Sequence, residues 1–316
     1  MKTKILLLAI GTIGFMSLTE SCSGKDSPSG ETDMLSDAPD FASTQSESDI
    51  DTPESEGFTG AGSVPAGMEI TFEDDFVNTT GIPDPEKWIL CTKSTSNWAR
   101  YLSESYDQAY TKDGSLFLIG EKTDGEYKTG GIETRGKFEF EHGRVECRAR
   151  FKTMPQGGHT GIWMMPAPPA EQWPKSGEID IMEHLNKDNI VYQTVHSWYA
   201  DDMGHKDDPK AQGTKEINKE DWNIYALEWT DEKLTYIVNG EESFTYSNLH
   251  LDGEDGAYQW PFNHPFYLIL SQSLGGAGTW AGAIDESELP AIFEIDWIRV
   301  MQYTENSSGI GKIYPD

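Results

Sequence analysis

Basic residues are scarce in this chain: of 316 residues, 24 are Lys or Arg against 54 Asp or Glu, a formal net charge of −30. Such a surface repels nucleic acid, anionic membrane and sulfated or uronic polymers at long range, which leaves a neutral or cationic partner; strong negative charge also serves solubility alone. Cysteine is nearly missing, at three. Cys91 and Cys147 each sit in an apolar, strand-like stretch without the charged setting of a catalytic thiolate. In an oxidising compartment they can pair, or remain as two buried free thiols, and both readings stand. Long amphipathic helical patterns are lacking, which excludes a helical bundle. A repeat of fixed period is lacking too, which excludes a propeller or solenoid. The one apolar run, Ile5 to Met16, is too short for a permanent membrane helix.

That run follows Lys2 and Lys4 and precedes Ser21-Cys22, the layout of an export signal. Cys22 just after it resembles the bacterial lipoprotein signal, in which the cysteine is acylated and becomes the mature N-terminus, although Leu18 stands four rather than three before it. We read residues 1–22 as signal and 23–66 as a flexible acidic tether, rich in Ser, Gly, Pro, Thr, Asp and Glu, with too little apolar surface to offset the entropy of ordering. Residues 67–305 are the folded domain and 306–316 a tail. The location that follows is an exported, membrane-anchored lipoprotein, at the cell surface, outer membrane or periplasmic face; the oligomeric state is set by default to monomer.

Aromatic residues are plentiful, at 11% with ten tryptophans, more than packing alone needs and suited to stacking on sugar rings. From Met68 the chain runs in short segments of period two broken by Gly, Asn, Asp and Pro, such as Ser115-Leu116-Phe117-Leu118-Ile119 and Pro265-Phe266-Tyr267-Leu268-Ile269-Leu270. Asn239-Gly240 between two such runs is a strong hairpin signal. The pattern predicts an all-β fold, a two-sheet antiparallel β-sandwich of jelly-roll type.

The stretch Gly177-Glu178-Ile179-Asp180-Ile181-Met182-Glu183-His184 carries the chemistry. Alternation puts Glu178 and Asp180 on one face and Glu183 on the other. A half-buried strand with a solvated face accounts for the first two, but Trp163, Trp173, His196, Trp198 and Tyr199 crowd the stretch as they would a cleft. One extra residue inserted as a β-bulge between Asp180 and Glu183 brings all three carboxylates to the same side. Glu178 and Glu183 are then roughly 13 Å apart at Cα, and side chains leaning together approach the ~5 Å separation of retaining glycosidases. Asp180 between them can hydrogen-bond the nucleophile and keep the two pKa values apart.

The block from Lys128 to Tyr303 resembles glycoside hydrolase family 16 in its bulged laminarinase-like branch, whose signature E-x-D-x-x-E is met by Glu178, Asp180 and Glu183. Gly131-Ile132-Glu133-Thr134-Arg135, Trp163-Met164-Met165-Pro166, Thr194-Val195-His196 and Ile295-Asp296-Trp297 extend the likeness. It implies a concanavalin-like jelly roll with a concave glycan-binding cleft, Glu178 as nucleophile, Asp180 as its helper and Glu183 as acid/base. It places Trp163, Trp173 and His196 nearest the cleaved bond, Trp98 further along the non-reducing side, and the Gln272 amide on the sugar; for each tryptophan a core role is the alternative. No cofactor is required for catalysis, and a structural calcium with Asp296 among its ligands is what the family adds. Residues 200–214, with Asp201, Asp202, His205, Asp207 and Asp208, match no strict ligand spacing and read as a variable cleft wall.

The implied reaction is retaining endo-cleavage of a neutral β-linked polysaccharide, first of all by an endo-1,3(4)-β-glucanase acting on laminarin or mixed-linkage glucan. The extra segment Ala167-Pro168-Pro169-Ala170-Glu171-Gln172 argues for the alternative, an endo-β-1,4-galactosidase of poly-N-acetyllactosamine on mucin-type O-glycans. A non-catalytic surface glycan-binding lipoprotein would need no intact pair of glutamates, and a transglycosylase would keep both.

Overall fold

The computed structural model describes residues 58–304. The export signal with Cys22, the tether through residue 57 and the tail from 305 lie outside the described residues. Strands β1 (Met68–Asp74), β2 (Ile89–Leu90), β3 (Ala109–Lys112), β4 (Ser115–Thr123), β5 (Glu126–Thr129), β6 (Gly131–Glu133), β7 (Gly143–Thr153), β8 (Gly158–Pro166), β9 (Glu178–Leu185) and β10 (Ile190–His196) precede a short helix α1 (Trp198–Asp201). Then come β11 (Gln212–Glu216), β12 (Asn223–Trp229), β13 (Lys233–Val238), β14 (Glu241–Ser247), α2 (Gly253–Gln259), β15 (Phe266–Leu274) and β16 (Ala291–Tyr303).

The strands form the expected two antiparallel sheets. One runs β14-β13-β12-β7-β16-β4-β3, with β1 on β16 and β5 on β4; the other, seven-stranded, runs β11-β10-β9-β8-β15-β6-β2. Period-two alternation decides what each face holds. On β8, Ile162 and Met164 point between the sheets while Trp163 joins a second apolar cluster with Tyr267 and Ile269 of β15. On β15, Leu268 and Leu270 point inward in the same way. The inter-sheet core also takes Val145, Cys147 and Ala149 of β7 and Ile295, Ile298 and Val300 of β16. Asn239 and Gly240 turn the β13–β14 hairpin with φ of 52° and 81°, the conformation that makes this dipeptide a turn signal. Cys91 and Cys147 are buried free thiols, so no bridge joins them.

Strand β9 carries the bulge. Against β8, Met182 faces Ile162 but Asp180 faces Trp163, so Ile181 has no partner of its own. Against β10, Glu183 faces Tyr192 and Asp180 faces Thr194, again three steps against two. Consecutive residues Ile181 and Met182 both enter the core, and the alternation restarts with Glu183 outward.

The tether boundary is corrected. Composition places residues 58–66 in the tether, yet Phe58 packs edge-on against Trp297 with ring centroids 5.7 Å apart. The Thr59 carbonyl accepts from the Trp297 indole at 3.0 Å, and the Gly62 carbonyl accepts from Arg299 at 2.8 Å. One aromatic side chain and two backbone carbonyls anchor a segment whose average composition hid them.

Gly177 sets the start of β9. Its φ is +81°, and a Cβ there would meet a Phe262 ring carbon at 2.6 Å, with Phe262 itself fully buried. Gly177→Ala is therefore expected to destabilise the fold by about 3 kcal/mol, from the left-handed backbone and the overpacking together. The urea midpoint measures it; an unchanged midpoint contradicts this account of the turn.

Candidate active site

All three carboxylates reach the outer face of the seven-stranded sheet, where Glu178, Asp180 and Glu183 border one small recess of about 60 Å³ together with Trp98, His159, Gly161, Trp163 and Ser271. Gly161 lies opposite Glu183 in the β8–β9 ladder. A Cβ on it would stand 2.9 Å from the Trp163 ring and 3.4 Å from Ser271 Oγ, so the missing side chain is what leaves the recess open.

Each carboxylate has its own surroundings. Glu178 Oε2 accepts from the Trp173 indole N–H at 2.6 Å. Burial raises the Glu178 pKa above its ordinary value, against the pull of His196, of the Trp173 hydrogen bond and of a hydrogen bond with Asp180. Asp180 is 2% exposed. Burial first, and the negative charges of Glu183 and Glu178 next, push its pKa well above the usual carboxylate range. Of the two, Asp180 is pushed further up, so a proton shared between them sits on Asp180 and is donated to Glu178. Glu183 is placed differently: His159 Nε2 lies 3.0 Å from Oε1, and Thr194 Oγ1 donates to Oε2 at 3.4 Å.

His196, opposite Glu178 in the β9–β10 ladder, has Nε2 3.5 Å from Asp180 Oδ2 and Nδ1 3.0 Å from Asp201 Oδ2. Glu178, Asp180 and His196 bring ligand-type atoms within 4.8 Å of one another. Because the indole N–H of Trp173 already points at Glu178 and Asp180 bonds it from the other side, the set has the chemistry of a shared proton.

Beside the recess opens a cleft of about 640 Å³ lined by Trp98, Trp163, Trp173 and His196, together with Met165, Tyr267 and Trp280. Trp98 meets Trp163 edge-to-face at 4.8 Å, and Trp163 donates its indole N–H to Ser271 Oγ at 3.1 Å. Trp173 is 49% exposed and its ring lies 5.4 Å from that of His196. A neighbouring concavity of about 180 Å³ shares Met165, Trp173 and Tyr267 with the cleft and is walled by Pro168, Ala170 and Glu171 of the extra segment.

Gln272 is a correction. It is fully buried, its amide oxygen accepts from Thr160 Oγ1 at 2.8 Å and its nitrogen donates to the Ser273 carbonyl at 2.8 Å. Alternation along β15 gives the cleft face to Tyr267, Ile269 and Ser271, so Gln272 braces β8 from inside and does not reach a sugar. Asp296 is bonded to Arg148, whose guanidinium carbon lies 4.5 Å over the Trp222 ring. A calcium ion at that carboxylate would have to displace this cation, so the donor set does not fit the expected metal.

Sequence reasoning missed His159, Tyr267 and Trp280, and it placed Asp201 in a variable cleft wall with no sign of its contact with His196. His159 and Tyr267 were within reach, since alternation from Trp163 along β8 and from Ser271 along β15 leads to them. Trp280 stands in the glycine-rich stretch Gly275-Gly276-Ala277-Gly278-Thr279-Trp280, 51% exposed, with its ring 4.9 Å from Tyr192; a lone tryptophan among glycines was its signal. Asp201 had none, because only the helical turn after Ser197 brings it back to His196.

Comparison with known proteins agrees with this geometry. Residues 95–299 match the family model described as glycosyl hydrolases family 16. A keratan-sulfate endo-1,4-beta-galactosidase of Sphingobacterium multivorum is 35% identical over 260 residues, 78% of this chain but 59% of that protein, so the chain spans under two thirds of that relative's length. A beta-glucanase of Rhodothermus marinus is 32% identical over 75% of this chain and 86% of its own. Among solved structures, one from work on endo-acting O-glycanases of the human gut microbiota that initiate mucin breakdown superposes with a TM-score of 0.68 at 34% identity, covering 75% of this chain and all of that one. With the bulged acidic strand, the two-sheet sandwich and the matched family model in agreement, the chain belongs to glycosyl hydrolases family 16.

Proposed function

We propose that this chain is a retaining endo-β-glycanase in which Glu178 is the nucleophile, Glu183 the acid/base and Asp180 the proton-holding helper. The observation that carries the reading is the three unlike environments in one recess: Asp180 buried and proton-retaining, Glu178 bonded by an indole N–H, Glu183 held from other strands by His159 and Thr194. In the first step the Glu178 carboxylate attacks the anomeric carbon, the glycosidic C–O bond breaks, and Glu183 gives its proton to the departing oxygen. In the second, Glu183 takes a proton from water, whose oxygen displaces the ester and regenerates Glu178. Asp180 and Trp173 keep the attacking carboxylate ionised and aimed, and the tryptophans around the cleft hold sugar rings by their faces.

For the glycan, the galactosidase reading moves ahead of the glucan one. The likeness to the keratan-sulfate galactosidase and to the O-glycanase structure runs slightly above that to the beta-glucanase. The side concavity formed by the extra segment also gives a substituent such as an acetamido group a place that an unsubstituted glucan leaves empty. Poly-N-acetyllactosamine is therefore the first substrate to test and laminarin or mixed-linkage glucan the second. Galactose-ended lactosamine fragments support the first; short glucose oligomers alone overturn it in favour of the glucan. The lipid anchor rests on the sequence around Cys22, and loss of fatty-acid labelling in Cys22→Ala is its expected signature.

Glu178→Gln is expected to abolish turnover, by on the order of 10⁴-fold or more, with the fold and glycan binding retained; near-normal turnover sinks the nucleophile assignment. Glu183→Ala should lose activity on natural glycan yet keep formation of the glycosyl-enzyme from an aryl glycoside whose leaving group needs no proton. Trp173→Phe keeps a ring but removes the N–H from Glu178, and kcat should fall about tenfold with KM little changed. Steady-state kinetics on each variant decides these points.

A further inference from the structure

Residues 200–214 fit no metal pattern, and the reaction as written does not use them. Ser197 caps α1 by accepting the Ala200 N–H at 3.1 Å, which turns the chain so that Asp201 faces back onto β10. Its Oδ2 lies 3.0 Å from His196 Nδ1, and its Oδ1 lies 3.2 Å from Lys206 Nζ. Across the imidazole, Nε2 is 3.5 Å from Asp180 Oδ2, the buried oxygen of that carboxyl without a hydrogen-bond partner. A line of groups thus runs Lys206, Asp201, His196, Asp180, Glu178 from the loop to the attacking carboxylate.

The donor count fixes what this line can do. With Nδ1–H given to Asp201, the ring offers a second N–H toward Asp180 only as the doubly protonated cation. In that state Asp180 Oδ2 faces a donor, and the Asp180 proton stays on the side of Glu178. When His196 loses its Nε2 proton, a lone pair faces Asp180 instead. The Asp180 proton is then drawn to the ring, and Glu178 loses its hydrogen bond.

We infer that Asp201, backed by Lys206, is a positioning residue that keeps His196 doubly protonated and thereby directs the Asp180 proton to the nucleophile Glu178. The charged groups facing His196 are consistent with this. Glu178, Asp180 and Glu183 come from β9, Asp201 from α1 and Lys206 from the loop after it, while Trp173 covers the ring from the segment before β9. Burial presses His196 toward the neutral form, but Asp201 and the carboxylates of Glu178 and Glu183 outweigh it and hold the pKa above the ordinary value. Burial likewise presses Asp201 upward, and His196 and Lys206 hold it below the ordinary carboxylate value.

This inference rests on the hydrolase reading for its kinetic test but not for its spectroscopic one. In Asp201→Asn the His196 cation is lost at lower pH. The ratio of variant to wild-type kcat is expected to be near one at about pH 5 and to fall to about one tenth near pH 8, with KM unchanged. The His196 ring-proton titration in the full chain, assigned by its absence from His196→Gln, is expected to move to lower pH. Asp201→Ser removes the same charge at His196 Nδ1 and should move both in the same direction, and it carries the test if Asp201→Asn fails to fold. A loss of kcat equal at every pH, or an unmoved His196 titration, overturns the inference and leaves Asp201 a structural residue. A moved titration in a chain that cleaves no glycan contradicts the hydrolase reading alone; turnover with an unmoved titration contradicts this one alone.

Discussion

Residues at positions 178, 180 and 183 of a regular strand cannot share a face, and the site exists because β9 breaks that rule once. The extra residue at Ile181 and Met182 sends two consecutive apolar side chains into the core and turns Glu183 back to the side of Glu178. The bulge and the burial depend on each other. Two apolar anchors hold the irregular strand in register between β8 and β10, and that register fixes the three carboxylates relative to one another before any sugar arrives. Three acids brought so close cannot all ionise. The structure answers by burying Asp180, so that it keeps its proton and serves as a donor, and by giving Glu178 an indole N–H and a nearby imidazole.

The rest of the sandwich supplies rigidity below and walls above. Inward residues of β8, β9 and β15 pack on the opposite sheet, and their outward neighbours Trp163, Tyr267, Ile269 and Ser271 form the floor of the cleft. Loops then decide what the floor can hold. The segment before β9 brings Trp173 and the side concavity, the glycine-rich stretch after β15 brings Trp280, and the turn after β10 brings Asp201. A stable floor with replaceable walls is the arrangement in which one catalytic trio can serve different β-linked glycans.

What could be read from the sequence follows the same division. Strands, the Asn239-Gly240 turn and the bulge were legible because side-chain alternation is local, and Glu178, Asp180 and Glu183 stood out as charges that alternation could not otherwise explain. Gln272 was misplaced because its position relative to Ser271 on β15 depends on register, and a one-residue difference exchanges cleft for core. Phe58 was swallowed by the average composition around it. Asp201 and Lys206 were unreadable because their meaning lies in a helical turn that returns the chain to a strand already passed, and Asp296 changed character only once Arg148 and Trp222 were seen beside it.

The most direct test of the central claim is the configuration of the sugar as it is released, followed by proton NMR within the first minutes of cleavage, before the anomers equilibrate. Glu178 and Glu183 border one small recess of about 60 Å³ and differ in their surroundings as a nucleophile and an acid/base do, so the account requires two successive displacements. The β anomer should appear first and the α anomer only as mutarotation proceeds. An α anomer formed first would mean a single displacement by water, and would contradict the assignment of Glu178 as a nucleophile and with it this account of why the strand is bulged.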